Sequence, residues 1–396
     1  MALSTEISSY RHYGVADSSF RALKPSYQPH LDGLRALAIL GILFEHLNLS
    51  LPVMLRCGPL SVRFFFVLTG YFITLSLWRV RGEISDTNEG GAPLGRYYLA
   101  RLLRTGPPFY LSLLLGAIFG IEEVRTNFLW LATFQLNNHI AWLGYWPNAV
   151  SHYWSLAVQE QFYILWPIVV LLLPRRWFVS TMAAFIAFGL VFRIICIMDQ
   201  SSTLVRWVTL LGCIDSFAVG ALVAYLAQAH ILHKMWQSPR LLFAMPLVAG
   251  ACFYLGRALM TLPETNICLA LTESVDSIFL AWILAASISG IKDRYARLLS
   301  WSPLVYLGKI SYGIYVYHVF IIILVSPLLV PLGLSESHNA WGRVAILFGL
   351  TLVIASVSWH WLEKPFLSWK KALASTSRPG REEDPARAIS FARQAY

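Results

Sequence analysis

Arg35 and His46, eleven residues apart, are the first pair of side chains in the sequence with the types and spacing to do chemistry. On an α-helix an eleven-residue step closes about three turns, so both project from one face about 16 Å apart. A guanidinium binds anions, and a neutral imidazole takes a proton from a hydroxyl. Asp32 lies one turn before Arg35 and can pair with it. The competing uses are an interface anchor for Arg35 and an interhelical hydrogen bond for His46.

Four further groups offer comparable chemistry. Between Ser151 and Pro167 the chain presents Trp154, Ser155, Gln159 and Glu160. A carboxylate beside an imidazole fixes its tautomer and raises its basicity. Glu160, one to two turns into its helix, is expected at the depth of His46. An aromatic belt of Tyr153, Trp154, Phe162, Tyr163 and Trp166 with Glu160 at the interface reads equally well. Arg96, Arg101 and Arg104 form a basic cluster, and the last two share a helix face suited to bidentate phosphate binding or to lipid headgroups. Ser311, Tyr315 and His318 form one helical stripe, and His360 and Glu363 end the last apolar run.

These side chains need elements to hold them, and the composition says where those elements sit. Of the 396 residues, 57% are hydrophobic and only 13% charged, too few charges to wet the surface of a soluble domain. Runs such as ILWPIVVLLL recur at the length that crosses a bilayer, and fifteen Trp suit its interfaces. The expected architecture is an all-α integral membrane bundle of about ten spans, at 33–52, 61–80, 107–121, 155–174, 177–198, 208–230, 241–261, 268–290, 312–333 and 343–362. Residues 1–29 and 367–396 flank a membrane domain at 30–366, and the polar C-terminal segment is expected to be disordered.

An eleventh apolar stretch, 127–145, is interrupted by Gln135, Asn137, Asn138 and His139. If it crossed, Arg175–Arg176 and Lys292–Arg297 would fall outside, against the positive-inside rule. The expectation is therefore a re-entrant segment on the outer side, with both termini cytoplasmic in a cytoplasmic (inner) membrane. Arg56, Arg63, Arg125, Arg206, Arg257 and Arg343 then count as outer-side charges. The net charge of +10 lies in short loops between apolar runs, which argues for orientation and lipid contact rather than nucleic acid. Five scattered cysteines form no CxxC pair, so neither a metal site nor a disulfide framework is expected. Met1–Ser19 has no apolar h-region, and the first span is expected to direct insertion.

Taken in order, the segments LDGLRALAILGILFEH, FFFVLTGYFIT, RYYLARLLRTGPPFY, HYWSLAVQEQFY, CIDSFAVGALVAYL, ISYGIYVYH and LEKPF resemble the landmarks of the acyltransferase-3 family of multi-pass membrane O-acyltransferases. The resemblance runs from about Gln28 to Phe366. The first segment carries that family's Arg-x10-His motif as Arg35 and His46. One departure stands out: Gln159 occupies the position after WSLxV where the family commonly has Glu, and Glu160 follows it.

The resemblance implies transfer of an acyl group, most often acetyl, from acyl-CoA as cosubstrate to a hydroxyl, with no permanently bound cofactor. The implied acceptor is a sugar of a surface glycan or a lipid-linked saccharide, with macrolide-like small molecules as the alternative. His46 would be the general base, with Glu160 beside it. Arg35, Arg101 and Arg104 would hold the donor, and Ser155 or Ser311 could carry an acyl-enzyme. Membrane lipids and glycan assembly or export machinery are the expected partners. A transporter and an inactive scaffold remain the rival classes, although no internal repeat of the transporter kind is visible.

Overall fold

A computed structural model describes residues 27–47, 57–87, 91–236, 268–289, 294–335 and 340–368, with a few positions between 247 and 258. Every regular element among them is helical. The long helices are α1 (Pro29–His46), α2 (Gly58–Thr87), α3 (Ala92–Ile118), α4 (Trp154–Leu172) and α5 (Phe178–Met198), followed by α6 (Leu210–Gln228), α7 (Leu269–Ser289), α8 (Ser311–Leu329) and α9 (Ala340–Ser358). In lipid a helix satisfies its own backbone groups, which is why runs this apolar fold this way.

Among the described residues, seven stretches are long and apolar enough to cross a membrane: Gly58–Ser85, Ser151–Leu172, Arg175–Met198, Thr203–Gln228, Leu269–Ser289, Ser311–Leu332 and Ala340–Ser368. The expected spans at 33–52 and 107–121 correspond to α1 and α3, which keep arginines within their length and are less apolar. The expected span 241–261 lies largely outside the described residues, as do the two terminal segments beyond Tyr27 and Ser368. α3 begins fifteen residues before the expected 107, because the basic cluster from Arg96 to Arg104 continues the helix instead of preceding it. Helix α5 turns Phe188, Val191 and Ile195 outward, as a lipid-facing surface requires.

Two apolar clusters make up the interior. One joins α2, α4, α6 and α7 around Phe66, Phe162, Trp166 and Phe217. The other joins α3, α8 and α9 around Phe109, Ile314 and Leu347. Helix α1 belongs to both: Leu31, Leu34 and Ala38 face the first cluster, and Ile39, Ile42 and Leu43 face the second. It is the wedge along a seam between the two halves.

Glycines set the closest crossings. A Cβ at Gly70 would fall on the carbonyl oxygen of Phe217, and one at Gly220 on that of Val67, so α2 and α6 meet backbone to backbone. Gly220→Leu is expected to cost at least ~2 kcal/mol by overpacking. A fall in the thermal unfolding midpoint in detergent would show it, with Gly82→Ala as the control, since nothing lies within 4 Å of Gly82. Gly308, in the short helix Ser302–Lys309, sits against the Asp32 carbonyl in the same way and fixes the start of α1.

Helices α1 and α8 run side by side in the same direction, with Arg35 beside Ser311 and His46 beside His318. The bundle thus has an Arg35 face and a His46 face. α3 runs from the Arg35 face toward the His46 face, and α4 starts at the latter beside His318. The intervening segment therefore begins and ends at the His46 face. It is broken into Glu122–Thr126, Phe128–Ala132 and Leu136–Leu143, none long enough to span. Its buried polar groups are met from within. Gln161 donates to the Phe134 carbonyl at 2.9 Å and to Asn137 Oδ1 at 2.8 Å, and Asn137 donates to the Val208 carbonyl at 3.1 Å. Arg81 near the end of α2 donates to the Val170 and Leu173 carbonyls at 3.0 and 2.8 Å, closing the C-terminus of α4 at the Arg35 face.

Candidate functional site

A cavity of about 470 Å³ lies on the seam, walled by α1, α2, α3, α4 and α8. Asp32, Arg35, Arg79, Arg101 and Arg104 line its end at the Arg35 face. Phe65, Leu68, Phe72 and Leu75 form an apolar flank, and Ile42, Ser155, Leu156 and Tyr315 close the other end one helical turn short of His46. Four guanidinium groups and two carboxylates, Asp32 and Glu160, thus line one shared cavity. Such an arrangement attracts an anion, and its forked donors suit phosphate.

Each cation is held differently. Arg35 Nη1 lies 3.4 Å from Asp32 Oδ1, while Arg35 Nη2 donates to Ser311 Oγ at 3.1 Å. Tyr27 donates to the other oxygen of Asp32 at 2.8 Å, so the carboxylate is shared and fixed. The Arg101 guanidinium lies between two aromatic faces, 5.7 Å from the Tyr97 ring and 5.6 Å from that of Tyr163. Arg104 stands close enough to Arg35 and Arg101 to feel both charges. Arg96 is not part of the cavity and pairs with Glu83 at 3.2 Å.

The two adjacent polar residues of α4 both reach the cavity. Gln159 Oε1 accepts from Thr69 Oγ1 and Tyr163 Oη, each at 3.4 Å. Glu160 faces Thr105 and the Arg101 guanidinium. This corrects the expected depth: Glu160 lies nearer the Arg35 end and does not partner His46. The residue beside His46 is His318, with 3.2 Å between His318 Nε2 and His46 Nδ1 and ring centroids 4.9 Å apart. The reason is packing: α8 lies against α1 on the face that carries His46, while α4 turns its carboxylate toward α3.

Of the stripe expected on α8, all three members take part, at different levels. Ser311 meets Arg35. Tyr315 Oη donates to the His152 carbonyl at 2.5 Å and contacts Ser155 Oγ at 2.6 Å, forming the lid between cavity and histidines. His318, fully buried, meets His46, which is exposed at its face. His152, also buried, packs 5.2 Å from the His318 ring, and neither of its ring nitrogens has a hydrogen-bond partner among the described residues. Glu363 lies outside the cavity, in a widened turn over Trp359–Glu363, and accepts from Ser358 at 3.2 Å. His360 is exposed and bonded to its own helix, and Trp154 packs edge-on against Phe66 at 5.9 Å without lining the cavity.

Sequence reasoning missed two sets. Arg79 was not among the expected site residues, yet it lines the cavity. Arg63, Arg193, Asp215 and Glu273 form a buried ion network between α2, α5, α6 and α7, away from the cavity. Arg193 lies 2.7 Å from Asp215 and 2.8 Å from Glu273, and Arg63 lies 3.5 and 3.6 Å from the same pair. Arg63 and Arg206, counted from the sequence as outer-side charges, are both buried. The signal was present, since ionisable residues inside apolar runs are costly unless paired.

The family model for the acyltransferase domain matches residues 29–360. Peptidoglycan O-acetyltransferase OatA of Listeria monocytogenes is 27% identical over 368 residues, covering 86% of this chain and 56% of that protein. A Bacillus subtilis protein provisionally named peptidoglycan O-acetyltransferase YrhL is 26% identical over 374 residues, covering 86% and 55%. The chain thus spans about half the length of the curated relatives it matches. No solved structure matches it significantly.

Proposed function

Because the chain belongs to the acyltransferase-3 family, we propose that it is a membrane O-acetyltransferase moving an acetyl group from acetyl-CoA to a sugar hydroxyl of a surface glycan. The relatives' names support a glycan acceptor, and peptidoglycan is the first to test. The observation that carries the reading is the cavity: cations gather at one end, an apolar flank follows, and the closed end lies one turn below His46. Arg79, Arg101 and Arg104 hold the donor's phosphates, and the thioester arm extends along the flank. His46 takes the proton of the acceptor hydroxyl as its oxygen attacks the thioester carbonyl. The carbon–sulfur bond breaks, and the leaving sulfur takes up that proton, giving an ester and free coenzyme A thiol.

Charge placement supports a topology of ten crossings, with the run 241–261 supplying one of them. The Arg35 face is then cytoplasmic, where acetyl-CoA is available, and both ends of the chain lie there. The residence is the cytoplasmic membrane, next to glycan assembly or export machinery.

The test is thiol release from acetyl-CoA by the purified protein in detergent, with a peptidoglycan fragment as acceptor. Acceptor-dependent release and a base-labile acetyl ester on the sugar are the expected results. Binding of acetyl-CoA without release would move the reading to a transporter. Arg104→Ala is expected to raise the KM for acetyl-CoA by about 10- to 100-fold with a smaller effect on kcat, the loss of one charge-assisted contact. An unchanged KM would remove Arg104 from the donor site.

A further inference from the structure

The hydrogen bonds around His46 and His318 determine where their protons sit. Nδ1 of His318 lies 2.7 Å from the Tyr315 carbonyl oxygen and 3.2 Å from that of Ile314. Carbonyl oxygens only accept, so Nδ1 of His318 carries the hydrogen. In a neutral ring Nε2 is then the bare nitrogen, and it points at His46 Nδ1 from 3.2 Å. A contact between two ring nitrogens needs one hydrogen, and only His46 can supply it. The Ile42 carbonyl, 3.1 Å from the same His46 Nδ1, demands the same assignment. With Nδ1 protonated, the lone pair of His46 is on Nε2.

We propose that His318 is a positioning residue that holds His46 with its lone pair on Nε2 and steadies the imidazolium formed when Nε2 takes a proton. The inference rests on the reading of His46 as the base. In serine hydrolases a carboxylate orients the catalytic histidine and stabilises its charged form. Here a neutral imidazole does so, itself fixed by two carbonyls of α8. Burial suits this device, because an unpaired carboxylate in the same place would be expensive. His318 is fully buried while His46 is exposed, so the relay runs from the interior outward: backbone carbonyl, His318, His46, acceptor hydroxyl. Proton transfer leaves His46 Nδ1–H a stronger donor, and its bond to His318 tightens in the transition state.

Two measurements on the full chain test the proposal. In protein labelled with 15N-histidine, and with His46→Gln used to assign signals, wild type is expected to show His46 with protonated Nδ1, bare Nε2 and a coupling across the bond to His318 Nε2. His318→Phe keeps an aromatic ring in the packing and removes the acceptor. It is expected to abolish that coupling and to lower kcat for thiol release by about 10²-fold, with the KM for acetyl-CoA within a factor of two. His318→Gln, whose oxygen can accept, is expected to recover part of kcat. A His46 protonated on Nε2 in wild type, or wild-type kcat in His318→Phe, would overturn the proposal. If the coupling is present but wild type releases no thiol, the pairing stands and the transferase reading fails.

Discussion

His46→Ala is expected to lower acetyl-CoA thiol release by about 10²- to 10⁴-fold, the range a positioned general base contributes. The chain should still fold, because His46 is exposed at its face and its loss leaves the apolar side of α1 intact. Donor binding should also survive, since the cations that would hold the phosphates line the cavity at the Arg35 face, and His46 is not among its lining residues. The diagnostic pattern is therefore a collapse of kcat with an unchanged dissociation constant for acetyl-CoA and an unchanged thermal midpoint. Wild-type turnover in a folded His46→Ala protein would remove the base from the scheme.

Arg193→Leu is expected to be the most damaging single substitution for stability, at about 3–5 kcal/mol. The guanidinium is fully buried and donates to the Gly212 and Ala270 carbonyls at 2.6 and 3.1 Å besides its two carboxylate contacts. Without it, Asp215 and Glu273 keep the longer contacts to Arg63, at 3.5 and 3.6 Å, and Asp215 keeps its bonds from Ser274 and the Ser216 amide, while two helix carbonyls lose a donor. The exposed pair Arg96–Glu83 has a similar geometry at 3.2 Å, yet solvent screens it and its loss should cost under ~1 kcal/mol. Thermal unfolding in detergent should separate the two, with a fall on the order of 10 °C for Arg193→Leu. Equal midpoints would mean that the network is already broken in solution.

The difference between these residues and those legible in the sequence is physical. Arg35 and His46 share one helix, so periodicity alone placed them on one face. The break at 127–145 into short helices was legible because Gln135 and Asn137 interrupt an apolar run. Pairing between helices was not legible in this way. His318 is 272 residues from His46, and only the packing of α8 along α1 brings them together. Glu160 looked like the natural partner because a carboxylate beside a histidine is familiar chemistry, but the rotation of α4 sends it toward Thr105 and Arg101. Gln159 and Glu160, adjacent on α4, both reach the cavity, which helical spacing alone did not foretell. The pairing of Arg63 was not legible because an orientation rule counts charges and does not ask whether each has a buried partner.

Helix α1 is fastened to α8 at two points, Arg35 to Ser311 and His46 to His318. The two contacts sit at opposite ends of one helix, whose backbone is held besides by Gly308 against the Asp32 carbonyl and by apolar faces turned to both clusters. The end of the seam that gathers cations and the end that carries the imidazoles therefore share a single rigid backbone.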